Sequence, residues 1–139
     1  MEKIPFNNRY IQLGNDFYAS AQPSPVPNPV LFAFNEALAT DLGLSAAALN
    51  SPEGAAIFSG NLIPVGAEPL AMAYSGHQFG QFNPQLGDGR AILLGQLRNK
   101  DNSPWDLQLK GAGPTLYSRG SDGRAVLRSS IREYLCSAA

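Results

Sequence analysis

The spacing of apolar residues changes character along the chain. In the first third it is helical. In the middle it has no regular period, and from Arg90 onward it turns strand-like. Val30, Leu31, Phe34, Leu38 and Leu42 recur at helical spacing. They predict a helix that starts at Pro29, is capped by Asn28 and stops at Gly43. Ser45–Leu49 and Pro52–Phe58 read as two more short helices; Ser51-Pro52 repeats the cap-then-proline signal and Gly60 closes the second. Upstream, residues 22–29 run Gln-Pro-Ser-Pro-Val-Pro-Asn-Pro. Each proline fixes its own φ and pushes its predecessor out of the helical region, so the segment reads as a rigid connector in preference to a signalling ligand.

Between residues 66 and 89 the pattern is weaker. Glu68–Ser75 fits one or two helical turns, after which Gly76, Gly80, Pro84, Gly87 and Gly89 break regular structure. Ala91-Ile92-Leu93-Leu94 is an apolar run of the kind that makes a buried strand, and Leu97–Pro104 is a polar hairpin connection. Trp105–Lys110 alternates as a half-buried strand does, with Trp105 expected to anchor it on the core. Gly111–Gly123 is a glycine-rich loop, and Arg124 onward reads as a helix whose apolar face is Leu127, Ile131, Tyr134 and Leu135. Arg124, Arg128 and Arg132 follow one flank of that helix and Glu133 lies on the other. The helix reaches Ala139 with no capping Gly or Asn, which points to an incomplete domain, although an edge helix of a complete small domain can end the same way. The whole reads as α+β: a mainly helical, Pro-rich region over 1–65 and a second unit over 66–139.

Composition narrows the class. The chain has 139 residues, enough for one domain or part of one. Charged residues are 15%, while Gly and Pro number 14 and 11, so turns are abundant. One Cys and one His exclude an internal disulfide and a standard structural zinc site. There is no membrane-length apolar run and no signal or transit pattern at the start, so a cytoplasmic protein with no membrane partner is expected. The net charge of −1 conceals an asymmetry. Residues 1–89 carry two basic and seven acidic side chains, and residues 90–139 carry eight basic and four acidic. The late arginines suit either a phosphate ligand or a solvated helix face paired with the acidic first half.

The order of elements in the second half carries the chemistry. Gly87-Asp88-Gly89 permits close backbone approach to a ligand, and the amides of such a turn can point at phosphate oxygens. Lys110 ends the second strand, and Glu133 sits on the following helix. A glycine turn, a strand lysine and a helix glutamate in this order form the nucleotide-holding arrangement of a kinase N-lobe. Two glycines alone make only a tight turn, and the full G-x-G-x-x-G pattern is not met.

Four stretches carry a resemblance. They are Tyr74-Ser75-Gly76-His77-Gln78-Phe79-Gly80, Gln85-Leu86-Gly87-Asp88-Gly89-Arg90-Ala91, Leu107-Gln108-Leu109-Lys110-Gly111-Ala112-Gly113-Pro114-Thr115, and Tyr117-Ser118-Arg119-Gly120 continuing through Asp122-Gly123-Arg124 to Glu133. With these the chain resembles the selenoprotein O family of kinase-like protein adenylyltransferases, strongly over 70–136 and more loosely over 5–65.

The resemblance implies a kinase-like fold holding ATP in reversed orientation, so that AMP passes to a Ser, Thr or Tyr hydroxyl of a protein and pyrophosphate leaves. It implies nucleotide contacts from Gly87, Gly89, Arg90, Lys110, Asp122 and Gly123, with Glu133 positioning Lys110. The family usually has Gly where this chain has Ser121, and a left-handed backbone there would cost about 1 kcal/mol. Family members are several times longer. The resemblance places their catalytic Asp and the ligands for Mg2+, with Mn2+ an alternative, beyond Ala139, so this length of chain is expected to be inactive by itself. ATP and hydroxyl-bearing proteins are the implied partners, and nucleic acid is not one. The alternative is a non-catalytic nucleotide-binding or interaction module.

Single residues have structural roles as their simplest reading. His77 is expected to be a hydrogen-bonded structural residue, Cys136 a small buried one and Asp88 a turn former.

Overall fold

A computed structural model of the chain describes residues 3–138. Met1, Glu2 and Ala139 lie outside the described residues. A 3-10 turn at Tyr10–Leu13 leads into strand β1 (Tyr18–Ser20). Three helices follow: α1 (Glu36–Asp41), α2 (Ala46–Leu49) and α3 (Pro52–Ser59). Then come β2 (Leu70–Met72), a hairpin of β3 (Gly76–Gln78) and β4 (Gln81–Asn83), the long pair β5 (Ala91–Arg98) and β6 (Pro104–Lys110), and helix α4 (Leu127–Ala138). The mixture is α+β, as expected.

The short helices form where caps satisfy their first free amides. Ser45 accepts from Ala48 N–H and Ser51 from Gly54 N–H, each at 3.2 Å, and Gly60 ends α3 in the left-handed conformation at φ 82°. The first helix departs from expectation. It begins at Glu36, because Asn35 caps it through Leu38 N–H, while Asn28 adopts φ 47° and caps nothing. Residues 29–34 stay irregular, with Val30 and Phe32 more than 80% exposed and Phe34 packed on Phe58. The proline segment is pinned as an extended connector: Asn61 bonds both the N–H and C=O of Val26, and Ser24 N–H reaches Ala112 C=O.

The main sheet has four strands in the order β1-β2-β5-β6, all antiparallel. Its centre is β5, where Ile92, Leu93, Leu94 and Leu97 are at most 2% exposed. β5 runs on to Arg98, so the polar connection is shorter than Leu97–Pro104. Its register against β6 shifts between Leu93 and Gly95, and a side chain at Gly95 would collide with Phe6 and Asn8. The N-terminal segment therefore crosses the sheet at this point, bonding Gln96 through Asn7 N–H and Asn8 Oδ1. One core cluster joins Ile4, Leu44, Leu49, Ile57 and Leu97.

Residues 68–75 are not helical. β2 occupies their middle, with Leu70 and Ala71 buried between β1 and β5. The stretch after it, expected to lack regular structure, contains the β3–β4 hairpin, turned by Phe79 and Gly80 at φ 54° and 75°. Trp105 does not anchor β6: it stays 40% exposed opposite Leu97, whereas Leu109 is 4% exposed and makes the buried contact.

Candidate functional site

The glycine turn lies where β2, the start of β5 and the loop 111–123 meet, and it is tied to the first and last of these. Asp88 is 6% exposed and holds the turn to β2. Its carboxylate accepts from Met72 N–H at 3.1 Å and Tyr74 O–H at 2.9 Å, and its own N–H donates to Met72 C=O. This is the turn-forming role expected of it. Burial first, then the hydrogen bond to Asp88 and its negative charge, push the Tyr74 phenol up to about 12, because all three favour the neutral form. On the loop side, Thr115 O–H donates to Asp88 C=O and Ser118 O–H to Gly89 C=O. Tyr117 packs face-on against Gly87: a Cβ there would lie 2.5 Å from the ring. With φ at 62°, Gly87 is glycine for both conformation and space.

A cavity of about 350 Å³ opens over this turn, lined by Gly87–Arg90, Lys110 and Tyr117–Arg119 among others. Glu133 reaches its edge from α4. One carboxylate oxygen lies 3.6 Å from Arg90 Nη2 and the other 3.7 Å from Lys110 Nζ. Both pairs are 40–52% exposed, and such pairs contribute ~0–1 kcal/mol to folding. Their consequence is geometric: one carboxylate holds two cations beside a glycine turn. Arg119 adds a third positive group and is placed by Gln78 Oε1 at 3.1 Å.

Of the residues singled out from sequence, Gly87, Gly89, Arg90, Lys110 and Glu133 come together. Asp122 and Gly123 do not line the cavity. Asp122 Oδ1 caps Arg124 N–H at 2.9 Å, and Gly123 is buried where a Cβ would sit 2.0 Å from Gly113 C=O. Their place is at the base of the loop, beside the Ala112–Arg124 bridge. The left-handed backbone of this loop falls at Gly111, Gly113, Arg119, Gly120 and Gly123, not at Ser121. His77 is exposed and packs on Phe82 at 5.9 Å, and its side chain makes no hydrogen bond among the described residues, so the hydrogen-bonded role expected of it is not seen. Cys136 is exposed, not buried. Sequence reasoning missed Tyr74, Thr115, Tyr117 and Ser118. All four fall within the stretches that carry the family resemblance, but their role is not legible there, since each acts on a segment at least 14 residues away.

A second cavity, of about 550 Å³, lies between residues 26–33, α3 and α4. Its lining carries no charged side chain, so it is unsuited to an anion. Among the described residues no three His, Cys, Asp or Glu side chains gather where a cation could sit, and no helix is long and apolar enough to cross a membrane.

Comparison with known proteins gives the family. The family model described as protein adenylyltransferase SelO matches residues 1–139. A protein nucleotidyltransferase YdiU of Rhizobium johnstonii is 58% identical over 136 residues, covering 98% of this chain and 27% of the relative. Relatives of the same name from Rhizobium meliloti and Alkalilimnicola ehrlichii are 58% and 54% identical over 100% and 97% of the chain, and 28% and 27% of their own lengths. The chain thus spans little more than a quarter of these relatives. A family match along its entire length makes this chain a member of the protein adenylyltransferase SelO family.

Proposed function

We propose that the chain supplies the phosphate-holding part of the nucleotide site in a protein nucleotidyltransferase with a kinase-like N-lobe. The observation that carries this reading is the grouping of Lys110, Arg90 and Glu133 at the mouth of the cavity over Gly87–Gly89. A triphosphate is the ligand such a site suits. It offers several anionic oxygens to two cations that a single carboxylate already holds side by side. The nucleotide is ATP, and the whole protein passes AMP to Ser, Thr or Tyr hydroxyls of other proteins with release of pyrophosphate.

Lys110 and Arg90 bind and orient the phosphates, and Glu133 positions both. Mg2+ or Mn2+ would neutralise charge in such a transfer. The carboxylates present do not fit that ion: Asp88 is turned inward to Met72 and Tyr74, and Glu133 faces two cations. The ligands for that ion and the catalytic acid are instead expected in the part of the relatives' length that this chain does not span.

The test is ATP binding to this chain by calorimetry. Lys110→Ala removes a charge-assisted contact worth roughly 1.5–3 kcal/mol, so affinity is expected to fall at least ~10-fold. Glu133→Gln is expected to weaken binding by less, and the double substitution to cost less than the sum, because Glu133 acts through Lys110 and Arg90. Wild-type affinity in both single variants would overturn the assignment.

A further inference from the structure

The loop after β6 does more than border the cavity, since its two hydroxyls form a closed hydrogen-bond circuit with the glycine turn. Thr115 Oγ1 donates to Asp88 C=O at 2.5 Å and accepts from Tyr117 N–H at 3.1 Å. Ser118 Oγ donates to Gly89 C=O at 2.5 Å and accepts from Thr115 N–H at 2.7 Å. Each hydroxyl is thus oriented by a loop amide and spends its proton on one of two consecutive carbonyls of the turn. The loop is itself held at both ends of the segment, by Ser118 N–H on Thr115 C=O and by Ser121 N–H on Ser118 C=O.

The consequence follows from peptide geometry. No peptide bond in the described residues is cis. In a trans peptide the C=O of one residue and the N–H of the next point in opposite directions. Fixing the Asp88 and Gly89 carbonyls on the loop therefore turns the Gly89 and Arg90 N–H groups away from it. The amides just before them are already used: Leu86 and Gly87 N–H both donate to Tyr74 C=O, and Asp88 N–H donates to Met72 C=O. The Gly89 and Arg90 N–H groups meet no protein acceptor among the described residues. Two successive free amides next to Lys110 and the Arg90 side chain make an anion-binding concavity.

We infer that Thr115 and Ser118 are positioning residues that preorganise the Gly89 and Arg90 amides as phosphate donors. This rests on the nucleotide reading of the same cavity. Neither hydroxyl proton is available to ligand, since both are committed to turn carbonyls; their effect passes through the backbone. Without them the two peptides can rotate, the carbonyls can face the phosphates, and binding must supply the ordering that the clasp now provides.

The test uses the isotopically labelled chain and inorganic pyrophosphate, followed amide by amide by NMR. In the wild type, the Gly89 and Arg90 amide signals are expected to move on titration. Thr115→Val keeps the side-chain shape and removes the hydroxyl; combined with Ser118→Ala it is expected to weaken pyrophosphate binding about tenfold, or ~1.4 kcal/mol. Thr115→Ser is expected to restore the Thr115 share, which a purely packing role would not. A dispersed spectrum keeps loss of folding separate from loss of binding, and if the double variant unfolds, Thr115→Val alone is read against Thr115→Ser. Pyrophosphate binding that moves Lys110 but leaves the Gly89 amide unmoved, or that is unchanged in the hydroxyl variants, overturns the clasp while leaving the nucleotide site standing. No pyrophosphate binding by the wild type overturns both.

Discussion

Gly87→Ala tests the link between fold and site most sharply. At φ 62° an alanine pays for the left-handed backbone, about 1–2 kcal/mol. The new Cβ would also lie 2.5 Å from Cγ, 2.7 Å from Cδ2 and 2.9 Å from Cδ1 of Tyr117. That ring has little room to retreat, because it packs on the buried cluster of Ala21, Ala71 and Ile92. Overpacking of this kind costs about 1–3 kcal/mol, so the total expected loss is roughly 2–5 kcal/mol. Denaturant unfolding measures it. Gly89→Ala is the control: its φ is not in the left-handed range, and its Cβ would meet nothing closer than the Tyr117 carbonyl oxygen at 3.0 Å, so its loss is smaller. In a Tyr117→Ala background the steric part disappears and only the backbone part remains. The double substitution should therefore be less costly than the sum by about 1–3 kcal/mol. Stability of Gly87→Ala within ~0.5 kcal/mol of wild type, or an unchanged cost in the Tyr117→Ala background, would refute the proposed packing of turn against loop.

Two further outcomes are expected. Tyr74 is held neutral by burial and by its bond to Asp88, with its phenol raised from 10.0 to about 12. A folded-state value above the unfolded one contributes stability that is complete below pH ~10 and lost as pH rises toward 12. Phenolate absorbance on alkaline titration should show a late-titrating tyrosine that Tyr74→Phe removes; a late component unchanged in that variant would dismiss the Tyr74–Asp88 bond. The exposed apolar face of α4, with Leu127 at 64% and Leu135 at 63%, should drive self-association of the chain at high concentration. Leu127→Lys with Leu135→Lys should lower the mass seen by light scattering without loss of helical signal, and a wild-type chain that stays monomeric at every concentration would show that this face is not adhesive.

What the sequence determined by itself is what neighbours within a few residues decide. Caps at Ser45 and Ser51, the stop at Gly60, the apolar run of β5 and the alternation of β6 are local signals, and each element formed where they lie. The trio of Gly87, Lys110 and Glu133 was legible because type and order suffice to suggest a phosphate site, and the family motifs reinforced it. The tertiary structure alone decided the rest. Leu70-Ala71-Met72 carries no period long enough to separate strand from helix, and becomes β2 only because β1 and β5 offer hydrogen-bonding edges on both sides. The apolar run 30–34 stays outside α1 because Asn35 caps the helix there and Phe34 packs on Phe58. Thr115 and Ser118 lie 27 and 29 residues from the carbonyls they bond, a separation that no local pattern spans. Asp122 and Gly123, adjacent in sequence to the site, are turned to the loop's base because Gly113 and the Arg124 amide occupy them first.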